Sequence, residues 1–309
     1  MIKFLCLLIL LLIVMNGSLA AQPYWDSGNT EKVIEGVENT AISIITDSFV
    51  PMTHYSKNNW EVRVVPAGFS LERASNDPEI EGEDFYGWGT AVGGGYALSE
   101  KLMVYGVFNY TGAEGDLTGR IYGDEYEEMK TEVNYSTLYF TTGAGYDLIK
   151  GKSRWSMPLY AGFYTQYYEA DINLPELVNT LPPYIIDGTV KGSGYLFGFS
   201  GGVALSYHFS DFMKITPYYL IGVSFNEPEF TAEIDNSSYP SKTDEAVEPG
   251  RLSTSMFGLN ISFDTEKSLS FSIGIGGTVF SQIEYYSENY QDGLIIKSIV
   301  FAVSYNGGG

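Results

Sequence analysis

From Trp60 onward the chain alternates, with bulky apolar residues at every second position and glycine, serine or alanine between them. Tyr195, Phe197, Phe199, Val203, Leu205, Tyr207 and Phe209 share one parity, and Gly198, Ser200, Gly202, Ala204 and Ser206 the other. The contrast returns in Leu269, Phe271, Ile273 and Ile275 against Ser268, Ser270, Ser272, Gly274 and Gly276. It returns again in Ile299, Phe301, Val303 and Tyr305 against Ser298, Val300, Ala302 and Ser304. A period of two sends each set to its own side of a β-strand. The pattern predicts ten strands, near 58–72, 85–98, 101–112, 132–148, 154–169, 190–208, 213–226, 252–264, 268–282 and 293–305.

The connections between them also alternate. Those at Ser99-Glu100, Ile149 to Ser153, Phe209 to Phe212 and Thr265 to Lys267 are short, whereas 73–84, 113–131, 170–189, 227–251 and 283–292 are long. Amphipathic segments of this length, joined by turns on one side and loops on the other, predict an all-β fold: a transmembrane antiparallel up-and-down β-barrel over 58–309. An even strand count returns both ends of the chain to the side of the short turns.

Residues 1–20 run in the order of a signal peptide: Lys3, an apolar stretch from Phe4 to Met15, then Ser18-Leu19-Ala20 as a small-residue cleavage site. That stretch is shorter than the ~20 residues of a membrane-spanning helix. Residues 21–57 read as an N-terminal periplasmic extension or a plug of the lumen; if they supply two strands, the barrel has twelve. Cleavage would remove Cys6, the one cysteine, so neither disulfides nor thiolate chemistry are expected.

Charge narrows the partners. After removal of residues 1–20, 16 basic residues (17 less Lys3) stand against 38 acidic ones, a net charge of −22, which argues against nucleic acid. The long connections hold most of the carboxylates, among them Glu79, Glu81, Glu83 and Asp84 and then Asp124, Glu125, Glu127 and Glu128. Alternate carboxylates on an extended segment point the same way and offer divalent cations several oxygen ligands; a plain solvated surface is the alternative. Either arrangement concentrates cations at the mouth.

Five charges fall on expected lumen positions: Glu61, Arg63, Lys191, Lys214 and Lys297, with Glu61 and Arg63 on one face of the first strand. Trp60, Trp88, Trp155 and Tyr305 lie near strand ends, as in the aromatic girdles at a membrane interface. Histidine is scarce. His54 precedes the barrel, and His208 begins the segment His208-Phe209-Ser210-Asp211, whose His-x-Ser spacing could serve a nucleophilic hydrolase but also suits a turn. No residue set predicts a cofactor or a resident metal. Gly93-Gly94-Gly95 and Gly143-Ala144-Gly145 lack the strand-to-helix setting of a phosphate cradle.

With the Ser18-Leu19-Ala20 site, the hairpin alternation and the closing strand Ile299, Phe301, Val303, Tyr305, the chain resembles bacterial outer-membrane β-barrel proteins of the porin-like class. The resemblance implies the outer membrane of a Gram-negative bacterium, contact with its lipid, and assembly by a barrel-insertion machinery. Such proteins commonly end in an aromatic residue, whereas here Asn306-Gly307-Gly308-Gly309 follow Tyr305. Architecture alone leaves function open. The small inner face and negative mouth suggest a cation-leaning diffusion channel; the alternatives are a closed structural or adhesive barrel binding a partner through its loops and, third, a membrane hydrolase.

Overall fold

A computed structural model describes residues 58–74, 85–121, 127–149, 153–178, 185–227, 229–236, 239–247, 251–265, 268–283 and 293–307. The expected signal peptide and the segment 21–57 lie outside these residues. Fourteen strands run in chain order: β1 Trp60–Ala74, β2 Phe85–Ala97, β3 Leu102–Ile121, β4 Glu127–Asp147, β5 Trp155–Ser156, β6 Pro158–Val178, β7 Ile185–Ala204, β8 Ser206–Ser210, β9 Met213–Ser224, β10 Glu229–Asn236, β11 Tyr239–Val247, β12 Arg251–Asp264, β13 Leu269–Ile283 and β14 Gly293–Gly307. Single residues, Met157 and Leu205, interrupt β5–β6 and β7–β8, so each pair is one strand of the wall. The barrel therefore has ten antiparallel wall strands, with β10 and β11 outside them, and β1 pairs with both β2 and β14 to close it.

Closure has a measurable stagger. Stepping from Trp60 across the ladder through Tyr96, Val104, Ala144, Ala161, Gly201, Ile221, Ser255, Val279 and Ile295 returns to β1 at Glu72, twelve residues (60 to 72) beyond the start. Ten strands with that shear tilt by about 40° and close at a backbone radius of roughly 10 Å. Such a bore is narrow enough for side chains from opposite walls to meet.

The alternation sorts the side chains as expected. On β1, Glu61, Arg63, Val65, Ala67 and Phe69 are buried while Val62 and Val64 are exposed. Outward residues such as Phe163, Tyr195 and Ile275 are 61, 65 and 61% exposed, an apolar face that only hydrocarbon would leave uncovered at so little cost. Aromatic rings bound this band at both ends. Trp60 packs on Tyr305 and Trp155 on Tyr207 beside the short turns, and Trp88 packs on Tyr110 and Tyr167 on Tyr195 beside the long connections. Trp88 stands opposite Gly68, eight residues along β1 from Trp60. At ~3.3 Å per residue and ~40° of tilt the belts are about 20 Å apart along the barrel axis, close to the apolar height of such barrels.

The sequence places three long connections where the structure has more strand. β3 and β4 stay paired up to Ile121 and Glu127, β6 and β7 up to Val178 and Ile185, and β10 and β11 form a hairpin within 227–251. Beyond the membrane both faces of a strand meet water, so the apolar period that reveals a strand disappears while the backbone ladder continues. Among the described residues the rim is lopsided. Within that set β2 is paired with β3 as far as Tyr86 and Glu114, and the described parts of β12, β13, β14 and β1 reach about the same level. β3, β4, β6, β7, β10 and β11 rise above it as one six-stranded wall.

Asn226 joins the wall to the barrel. β7 pairs along Gly198–Ala204 with β9 and along Gly188–Ser193 with β10. In the break between those partners, the Asn226 carboxamide accepts from Phe197 N at 3.0 Å and donates to Tyr195 O at 2.8 Å and Glu227 O at 3.1 Å. One side chain thus stands in for the missing ladder bonds. Asn226→Ala is expected to weaken β10 and β11 locally by about 1–3 kcal/mol, seen as faster amide exchange there with unchanged exchange in β9 and β12.

Candidate functional site

The bore is layered. Its end beside the short turns is polar: Glu61 and Arg63, two residues apart on β1, form an ion pair with each side chain 9% exposed, and Lys214 lies 3.7 Å from Asp264. Ser206 and Thr216 share a 2.6 Å hydrogen bond between β8 and β9. Asp147 closes the nearby turn. Its Oδ1 accepts from Ile149 N and Met157 N, and its Oδ2 from Ser156 Oγ, all at 2.9 Å.

Two apolar clusters begin at the level of this ring and rise above it. One joins Ala97, Met103, Tyr105, Tyr160, Ala204 and Tyr218; the other joins Val65, Ala67, Ala91, Val107, Val300 and Ala302. Every one of these residues is at most 7% exposed. Packed this closely, they leave no water-sized gap among themselves.

Next is a tyrosine layer. Tyr139 stacks on Tyr164 with ring centroids 5.4 Å apart, Tyr105 meets Tyr160 edge-on at 5.9 Å, and Thr141 and Ser200 are hydrogen-bonded at 3.3 Å. They line a cavity of about 40 Å³, with Asn109, Thr254 and Met256 among its other walls. That volume suits a few waters and no larger solute. Glycine makes room for the rings. A Cβ at Gly143 would lie 2.8 Å from the Tyr105 hydroxyl, and one at Gly162, its partner across β4 and β6, 2.9 Å from it. Higher still, the fully buried Gln166 donates to Thr137 at 3.3 Å.

These tyrosines were not evident as a set from the sequence. Their signal was available: Tyr105, Tyr139, Tyr160 and Tyr164 occupy the inward parity of β3, β4 and β6, and the inward positions 198, 200 and 202 of β7 and 270, 272, 274 and 276 of β13 are glycine or serine. Large residues on one arc and small ones on the facing arc fill a bore.

The expected lumen charges divide. Glu61, Arg63 and Lys214 point inward. Lys191 and Lys297 do not: both are exposed and share the outward parity of Tyr195 and Ile299. Apolar neighbours suggested the inner face, but Lys191 sits where β7 has already left the apolar band. Lys297 stands across Ser70 from Tyr86, at the outer aromatic belt, where a long side chain reaches the headgroups.

Of the acidic loop residues, Glu79, Glu81, Glu83, Asp84, Asp124 and Glu125 lie outside the described residues. Glu127 and Glu128 are not in a loop; they begin β4, opposite Ile121 and Arg120. Among the described residues no three His, Cys, Asp or Glu side chains group to hold a metal. His208 and Ser210 lie on β8 next to the Asp211-Phe212 turn, with His208 N bonded to Arg154 O at 2.8 Å.

No known protein family's profile matches the chain, and no curated protein matches it in sequence. Solved structures do. The outer membrane protease OmpT from Escherichia coli superposes with a TM-score of 0.54 at 9% identity, covering 84% of this chain and 99% of its own. The translocator domain of the autotransporter NalP from Neisseria meningitidis gives 0.46 at 10% identity, with 89 and 95% covered. The outer membrane protein OprG from Pseudomonas aeruginosa gives 0.35 at 8%, with 84 and 100% covered. At such identities the likeness concerns architecture and is silent on activity. Closed wall, apolar outer band and paired aromatic belts together give this chain the fold of the bacterial outer-membrane β-barrels.

Proposed function

We propose that the protein is a closed barrel of the Gram-negative outer membrane that acts through the wall it raises above the membrane surface, binding a partner there instead of passing solute. One observation carries this reading: at successive depths of the bore, inward side chains from eight of the ten wall strands are buried among their neighbours. Val65, Ala91, Val107, Thr141, Leu196, Thr216, Asn260 and Val300 are all 5% exposed or less. A diffusion channel needs a continuous column of water, and an acidic mouth selects cations only if there is a path behind it.

The small inward residues of β13 and β14, Ser270, Ser272, Ser298 and Ser304, favour the channel reading, but they are 2–7% exposed and already covered. Purified protein in planar bilayers is expected to show no discrete openings. Resolved, reproducible openings of the native chain would overturn the closed reading, and a preference for cations would then restore the channel.

A further inference from the structure

One arc of the bore is buried under a cover that the described wall does not supply. Val300 on β14 is 2% exposed, yet its inward neighbours are Ala67 and Gly274 across the register and Ser298 and Ala302 along the strand. None of these is larger than valine, so the cover must come from the centre of the bore. The opposite wall is too far away to provide it. β6 lies five strands from β14 in either direction round the barrel, and its inward tyrosines lean on β4 and β3, Tyr164 on Tyr139 and Tyr160 on Tyr105. A tyrosine reaches about 6.5 Å from its Cα and an alanine methyl about 1.5 Å, so across roughly 20 Å of bore they leave about 12 Å between them.

Polar atoms on the same arc make a second demand. Ser298 Oγ, Ser272 Oγ and Asn260 Nδ2 have no hydrogen-bond partner among the described residues, and their residues are 4, 7 and 1% exposed. Asn260 leans over Gly274, where a Cβ would collide with its Oδ1. Waters could serve these three groups but could not bury Val300, Ala67 and Ala302. A polypeptide offers both apolar bulk and hydrogen-bonding groups.

The chain carries one segment of that character outside the described residues. The stretch 75–84 holds Asp77, Glu79, Glu81, Glu83 and Asp84, and 122–126, 179–184 and 284–292 have no run of aliphatic residues. Residues 41–50, in contrast, bring Ile42, Ile44, Ile45, Phe49 and Val50 with Asp47 as their single charge. This segment leads into β1 at the short-turn end of the bore, where Asn58 turns the chain with a φ of 69°. Val300 lies seven residues (307 less 300) along β14 from Gly307, the partner of Trp60, a rise of about 18 Å, and the eight residues from 50 to 58 can span about 26 Å.

Resting on the closed-barrel reading above, we infer that residues 41–50 lie inside the bore as a plug, with their aliphatic side chains against Val300, Ala67 and Ala302. The tyrosines close one arc of the bore and this segment closes the other.

The test measures how fast a cationic methanethiosulfonate reagent labels Ala302→Cys, in a Cys6→Ser background and in lipid nanodiscs. Glu100→Cys, exposed at an inner turn, serves as the accessible reference. Labelling of Ala302→Cys is expected to be at least about tenfold faster after deletion of residues 22–52 than in the full chain. The same gain is expected in a full-length variant carrying Ile42→Asp, Ile44→Asp and Ile45→Asp, which decides the matter should the deletion fail to fold. In planar bilayers the deletion should conduct while the full chain stays silent. Equal labelling of the full chain and the folded variants, whether fast or slow, overturns the inference. If the full chain is silent and labelling is equal, the closed barrel stands without this plug. Openings of the full chain remove the closed reading, and the labelling then still decides where residues 41–50 lie.

Discussion

Replacing Tyr105, Tyr160 and Tyr218 by alanine together is expected to turn a silent barrel into a conducting one. The three rings come from β3, β6 and β9 and meet Met103, Ala97 and Ala204 in the apolar layer nearest the short turns. Truncating them removes the largest members of the layer and leaves the ladder intact, since none of the cross-strand backbone bonds involves a side chain. A soluble core would collapse on such a void or lose roughly 3–5 kcal/mol per aromatic ring. Here the wall cannot collapse, because strand number and shear set its radius, and water fills the gap. The measurement is single-channel recording of protein whose barrel has been verified by its resistance to unfolding in detergent. Discrete openings in the triple variant and none in the native chain are the expected pair. A control that replaces the outward Phe163 and Tyr195 by alanine should stay silent, for those rings face hydrocarbon. Continued silence of a folded triple variant would show that Tyr139 and Tyr164 above still block the bore without Tyr105 and Tyr160.

The second large effect is at Asp147. Its buried carboxylate, 6% exposed, accepts two backbone N–H groups and one hydroxyl, all from the segment that returns the chain from β4 to β6. Asp147→Leu leaves these donors without acceptors in a site that water reaches poorly. Three bonds to a charged group at about 1–2 kcal/mol each predict a loss of roughly 3–5 kcal/mol. Asp147→Asn keeps one oxygen for both N–H groups and should cost only about 1 kcal/mol. Denaturant unfolding in lipid vesicles would distinguish them; equal losses would mean that the charge, and not the acceptor geometry, closes the turn.

What could be read in advance follows from where lipid touches the chain. Ten wall strands were legible because hydrocarbon on one side and side-chain packing on the other impose a strict period of two, and the strands found at Trp60–Ala74, Phe85–Ala97 and Leu269–Ile283 lie close to the segments marked by that period. Where the wall leaves the bilayer the constraint ends. Gly115 to Ile121 and Glu127 to Thr131 carry no apolar alternation, so they read as loop although the backbone pairs them residue for residue. Lys191 and Lys297 show the same limit from the other side: parity determined their direction, and their neighbours misled because a lysine is tolerated outward once headgroups or water are within reach. Asp147 and Asn226 were invisible for a different reason. Each replaces backbone bonds across an interruption, and nothing in a single sequence distinguishes such a side chain from any polar residue at a bend.

The unbroken run of β3 and β4 has a mechanical meaning. These strands extend for 20 and 21 residues from the inner turn to the outer tip, matched through twenty successive pairs from Leu102 and Tyr146 to Ile121 and Glu127. Tension applied to the outer end along the strand direction would draw both strands together and load in shear the flanking ladders, twelve pairs of β3 with β2 and sixteen of β4 with β6, simultaneously instead of one by one. A cell tethered through that tip would be held by the rivets of the whole hairpin.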